Sequence, residues 1–234
     1  PGAMALAAAG GDAPYRAARL TAAQLRAAGV NFDLAPVLDV NSNPLNPVIG
    51  VRSFGDVPEE AAERALGFMR GLLDGGIMAC GKHFPGHGDT DTDTHDGAAV
   101  VNKSLEELRE GEFLPFISGI EVGADMVMVG HITVTALDEV PATISKVLIG
   151  EVLRGELGWD GVVISDSLDM GALAGYDNGE VCVKFLEAGG DILLGIPDIE
   201  TALTALEAAV TDGRLTESRI DESVQRVLEL KISH

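Results

Sequence analysis

Short apolar runs rich in Val, Ile and Met alternate along this chain with longer stretches whose apolar residues recur at helical spacing. The short runs, residues 32–40, 77–82, 126–131, 162–166 and 191–196, read as buried strands. Helices are predicted over residues 14–28, 59–73, 106–120, 145–157, 177–188 and 216–232. Several carry their own start signals. Pro14 suits a first helical turn, Ser104 stands three residues before Glu107 as a capping box, and Ser145 precedes an amphipathic run. Repeated strand–helix order implies an α/β fold with a parallel sheet covered by helices. With no linker, low-complexity tract or further repeat, residues 1–234 read as one domain.

The predicted strands end in polar residues: Asp39 on the first, Lys82 and His83 on the second, His131 on the third and Asp166 on the fourth. Active sites of α/β barrels are built at the carboxyl ends of the strands, so these residues are expected to converge on one pocket. The fourteen residues from Lys82 to His95 hold three of the five histidines and three carboxylates. Each buried charge needs a partner, so such a run fits a loop around a polar ligand better than a core. Asp93 and His95 are two apart, which lets a turn bring carboxylate to imidazole and form a dyad that exchanges a proton near neutral pH. His83, His87, Asp89, Asp93 and His95 also resemble a metal-ligand inventory, but His-x3-His-x-Asp is not a strong zinc spacing, and neither metal nor cofactor is expected.

Length and charge narrow the partners. At 234 residues the chain can bury a sizeable core but is short for eight strand–helix units, which typically take about 250 residues. Thirty-seven acidic against 16 basic side chains give a formal charge of −21, which argues against nucleic acid. Cys80 and Cys182 read as small buried hydrophobes. No apolar stretch is long enough to span a bilayer and no signal-peptide pattern opens the sequence; a cytoplasmic or an exported protein both fit.

Four ordered segments carry a resemblance. Lys82-His83-Phe84-Pro85-Gly86-His87-Gly88-Asp89-Thr90 followed by Asp93-Thr94-His95, Leu34 to Asn41, Asn46 to Phe54, and Val162 to Met170 together resemble glycoside hydrolase family 3, in the branch of bacterial β-N-acetylglucosaminidases of the NagZ type. The resemblance implies a (β/α)8 TIM-type barrel of which about five strand–helix units are visible, with the first strands and an early sugar-binding segment expected to be missing. A second copy completing the barrel is then a further expected partner beside an oligosaccharide substrate.

By the same resemblance Asp166 is the nucleophile and His95, supported by Asp93, the acid/base of a retaining reaction. Lys82, His83 and Arg52 bind the sugar, with Asp39 and His131 at the pocket. The implied activity is release of terminal N-acetylglucosamine from cell-wall (muropeptide) or chitin-type oligosaccharides, as in peptidoglycan recycling. A β-N-acetylglucosaminide phosphorylase or related β-glycosidase, and an inactive sugar-binding or assembly fragment, are the alternatives.

Overall fold

The computed structural model describes every residue of the chain except 95, 96 and 98. Two helices, α1 (Ala3–Ala9) and α2 (Ala13–Ala27), precede the short strand β1 (Phe32–Asp33). Then follow α3 (Pro58–Asp74), β2 (Met78–Phe84), β3 (Ala99–Val101), α4 (Leu105–Glu110), α5 (Leu114–Glu121), β4 (Met126–Val129) and β5 (Ile132–Val134). A π-helix (Lys146–Glu156), β6 (Val162–Ser165), α6 (Asn178–Ala188), α7 (Ile199–Thr211) and α8 (Glu217–Ser233) complete the order.

The main sheet has the order β1-β2-β4-β6, parallel throughout, as helical crossovers require. It continues past β6 through a single bridge between Ile164 and Ile192. The Ser165 and Leu168 amides donate to the Ile192 and Leu194 carbonyls at 2.9 Å. This five-membered parallel arc is an open part of a barrel-type α/β fold. Strands β3 and β5 form a separate parallel pair.

Both faces of the arc are buried, and side-chain alternation divides them, except that a register shift between Gly81 and Phe84 puts Phe84 on the face of Ala79. Ala79, Phe84, Val127, Val129 and Val163 face the helices and pack with Met69, Leu72, Phe116, Leu148 and Phe185. Met78, Cys80, Met126, Met128, Val162 and Ile164 form the opposite face, where Val227 and Leu230 of α8 pack. Phe84 stacks on Phe113 at 5.5 Å and meets the edge of Phe116 at 5.4 Å, contacts worth about 0.5–1.5 kcal/mol each beyond area burial.

Several elements differ from the sequence expectation. The strand over 32–40 is reduced to β1 and one bridge from Val37 to Lys82, because Pro36 has no N–H for a ladder. The helix over 106–120 is two, α4 and α5, separated where Phe113 turns into the core; Pro115 opens the second. The helix expected over 145–157 is the π-helix Lys146–Glu156, capped by the Ser145 side chain accepting from the Leu148 amide. Helices α1 and α7 and the β3–β5 pair were not expected.

Candidate active site

Alternation along the strands places the chemistry. Lys82 continues the Met78, Cys80 row and Asp166 the Val162, Ile164 row, so both project from one face at the carboxyl ends of β2 and β6. They meet in a cavity of about 210 Å³ with Arg52 and His83, between apolar walls from Leu34, Met128, Met170 and Leu194. The Asp166 amide donates to the Val129 carbonyl at 2.9 Å, tying its backbone to β4, and its Oδ1 accepts from the Ser167 amide at 2.8 Å.

Positive charge faces this carboxylate. Burial pushes the Lys82 ammonium below the usual lysine range, helped by the Arg52 charge and opposed by Cys80, Asp166 and Asp33. Arg52 ends a single 3-10 turn, Gly50–Arg52, and donates through Nη1 to the Val48 carbonyl at 3.2 Å. Its Nη2 lies 3.4 Å from His83 Nε2.

Behind the pocket wall sits Asp39, 1% exposed. Its Oδ2 lies 2.7 Å from His83 Nδ1, and its Oδ1 accepts from the His87 amide at 2.7 Å and the His83 amide at 3.2 Å. With the proton on Nδ1, the His83 ring donates to Asp39 and presents Nε2 as an acceptor toward Arg52. Burial alone would raise the Asp39 carboxyl, but the charge and hydrogen bonds of His83 and His87 outweigh it and hold it below the usual carboxylate range. Burial lowers the His87 imidazole, against the pull of Asp39 and with His83 adding to the shift. His87 bonds Thr90 Oγ1 through Nδ1 at 2.7 Å and approaches Thr94 Oγ1 through Nε2 at 3.3 Å.

Of the residues singled out in the sequence, Arg52, Lys82, His83, His87 and Asp166 share the cavity. Asp39 and His131, expected at the pocket, are not among its lining residues. His131 bonds Thr143 Oγ1 at 2.6 Å and the Ser167 carbonyl at 2.8 Å, bracing the backbone just after Asp166. The Asp93 carbonyl accepts from the Gly97 amide at 3.0 Å, and the Thr94 carbonyl accepts from the Ala172 amide at 2.9 Å. His95 lies outside the described residues.

Asn46 went unassigned in the sequence. Buried, it donates to the His87 and Thr90 carbonyls at 2.8 and 2.9 Å and accepts from the Ile49 amide at 2.7 Å, stapling the histidine loop to the 41–49 segment. Gly88 permits that approach: a Cβ there would lie 1.7 Å from the Val40 carbonyl oxygen. Among the described residues no three His, Cys, Asp or Glu side chains are grouped to hold a metal ion.

A parallel arc with cations and a carboxylate at its carboxyl ends defines the class of barrel-type α/β proteins with a top-face polar pocket. Residues 1–230 match the glycosyl hydrolase family 3 N terminal domain, and the chain belongs to that family. It is 33% identical over 231 residues to a beta-hexosaminidase A of Pseudoalteromonas piscicida, covering 89% of this chain and 39% of that protein. A family 3 beta-N-acetylglucosaminidase structure from Paenibacillus sp. str. FPU-7 superposes with a TM-score of 0.95 at 46% identity, over 99% of this chain and 45% of the other. A beta-glucoside phosphorylase bound to 2FGlc superposes with a TM-score of 0.94 at 28% identity, over 98% and 43%. The chain thus spans less than half the length of each.

Proposed function

We propose that this chain supplies the sugar-binding and nucleophilic part of a retaining exo-β-N-acetylglucosaminidase acting on cell-wall or chitin-type oligosaccharides. In this reading residues 1–234 form one domain with about five strand–helix units of a barrel. One observation carries it: Asp166 at the end of β6 shares a single small cavity with Lys82, His83 and Arg52. At about 210 Å³ the cavity is below the ~300–1,000 Å³ usual for drug-sized ligands, which favours one terminal sugar ring over an internal segment.

Retention requires two displacements. Asp166 attacks the anomeric carbon while His95, oriented by Asp93, gives its proton to the leaving oxygen; the glycosyl ester on Asp166 is then opened by water that returns a proton to His95. Lys82 and Arg52 donate to hydroxyl or acetamido oxygens of the ring. The relatives named as hexosaminidase and N-acetylglucosaminidase support the substrate class.

The test is chromophore release from an aryl β-N-acetylglucosaminide by this chain beside its Asp166→Ala and His95→Ala variants. Turnover abolished in the first and strongly reduced in the second supports the reading; an inert parent chain favours a binding or assembly fragment. Similarity to a phosphorylase favours a second reading in which phosphate replaces water, with the same two cations beside the nucleophile. Glycosyl phosphate among the products when phosphate is present would decide for it.

A further inference from the structure

Glu112 lies at the break between α4 and α5, 1% exposed, directly beneath the histidine loop. A Cβ at Gly86 would sit 2.7 Å from the Glu112 Cβ and Cγ, so the histidine loop packs directly on this side chain. Its Oε1 accepts from Lys103 Nζ at 2.5 Å and lies 3.5 Å from Ser42 Oγ, while Oε2 finds no partner among the described residues. Lys103 Nζ is also 3.6 Å from Asp89 Oδ1, which accepts from Ser42 Oγ at 3.1 Å. Burial opposes the Lys103 charge, yet Glu112 and Asp89 together hold its ammonium above the usual lysine range.

Position in the chain gives this cluster its meaning. Asp89 is on the outgoing limb of the segment between β2 and β3, and Lys103 follows β3 by two residues, so one lysine joins both limbs of the segment that carries Asp93 and His95 in sequence. The neighbouring Phe113 is stacked on Phe84 at the end of β2, which fixes Glu112 relative to the strand that bears Lys82 and His83. A carboxylate this deep is tolerated only while paired.

The geometry points to Glu112 and Lys103 as positioning residues: a buried clasp at the base of the histidine loop that sets the placement of residues 85–94, whose His87 and Thr94 line the Asp166 pocket. The inference rests on the glycosidase reading for its consequence in turnover, but not for the clasp itself.

Two measurements on the intact chain separate them. The variants are Lys103→Met, Lys103→Arg, and the double variant E112Q/K103M, which removes both charges and so keeps a folded comparison if Lys103→Met alone unfolds. Amide exchange over residues 86–94 is expected to rise about tenfold or more in the double variant, with β2, β4 and β6 unchanged. Exchange within about twofold of the parent, or an equal rise through the sheet, overturns the clasp. In turnover, kcat is expected to fall about tenfold with KM within about twofold, and Lys103→Arg to restore it. An unchanged kcat beside a loosened loop overturns the positioning role. An inert parent chain counts against the glycosidase reading, and the exchange result then decides the clasp alone.

Discussion

Asp39 Oδ2 and His83 Nδ1 lie 2.7 Å apart across 44 residues of sequence, and this pair orients the His83 ring toward the pocket. The same carboxylate also accepts the His83 and His87 amides, so three donors depend on one buried group. Asp39→Ala leaves all three unpaired and is expected to cost about 2–5 kcal/mol in a urea titration. The sign with pH follows from the lowered carboxyl. Above about pH 4 the folded and unfolded chains are both ionised there and the full stabilisation is present. As pH falls below that, the unfolded chain takes up the proton first and the stabilisation is lost until the folded carboxyl also titrates. Asp39→Asn should therefore flatten the acid limb of the stability profile, and a limb as steep as the parent's would remove Asp39 from that account.

What the sequence reveals and conceals here has a physical pattern. Strands β2, β4 and β6 are legible because both their faces are buried: β4 and β6 read as continuous Val, Ile and Met runs, and β2 opens on the apolar run Met78-Ala79-Cys80. Period-two alternation from Cys80 to Lys82 and from Ile164 to Asp166 suffices to bring lysine and carboxylate to one face. Helix α7 opens on an Asp198 side chain that accepts from the Thr201 amide, a cap the sequence carries in its own residue types. The supporting contacts are different in kind. That Asp39 holds His83, that Asn46 holds His87, and that Glu112 meets Lys103 are pairings set by tertiary approach, for which neither spacing nor propensity carries a signal.

Asp166 presents the opposite balance to Asp39. It is half-buried, and among the described residues its carboxylate accepts one backbone hydrogen bond, from the Ser167 amide at 2.8 Å. Asp166→Asn keeps an acceptor at that position, so the denaturation midpoint should move by no more than about 0.5–1 kcal/mol. On the proposed mechanism turnover should nevertheless fall by about 10³-fold or more. A variant that loses both stability and turnover in proportion would make Asp166 a structural residue.

Lys82 should show a gain in stability at the expense of function. Its folded ammonium titrates below the unfolded value, through burial and the adjacent Arg52, so at neutral pH the charge is held at a cost. That cost is fully present below the folded pKa and is relieved as pH rises from there toward the unfolded value near about 10.4. Lys82→Met should raise stability at pH 7 by about 0.5–1.5 kcal/mol and, on the proposed function, weaken sugar binding. The advantage should shrink as the pH approaches 10. Thermal unfolding of both forms at pH 7 and pH 10 checks the sign, and a variant less stable at pH 7 would show that Lys82 is held by favourable contacts.

At the opposite ends of the strands a single anion organises three arginines. Asp191 is fully buried; its Oδ2 accepts from Arg154 Nη2 at 2.6 Å and the Val163 amide at 2.8 Å. Its Oδ1 accepts from Ser223 Oγ at 2.7 Å and Arg226 Nη1 at 3.2 Å, with Arg219 Nη2 at 3.9 Å. Ser223, Arg219 and Arg226 all belong to α8, so this carboxylate ties the last helix to the sheet, where conserving the fold and not the chemistry is at stake. Burial draws Arg154 and Arg219 below the usual guanidinium range, and Asp191 opposes that in both. Asp191→Ala leaves the half-buried guanidiniums without their anion and is expected to cost about 3–5 kcal/mol, whereas Ser223→Ala, which removes one hydrogen bond, should cost about 1 kcal/mol. Trp159, the one tryptophan of the chain, reports on the site because its carbonyl accepts from Arg154 Nη1 at 3.1 Å. Each arginine also donates to backbone carbonyls, Arg154 to Gly189, Arg219 to Gly190 and Arg226 to Asp160. If those bonds alone held α8, Asp191→Ala would shift the tryptophan-monitored urea midpoint by no more than Ser223→Ala does; a loss several times larger assigns the docking of α8 to the carboxylate.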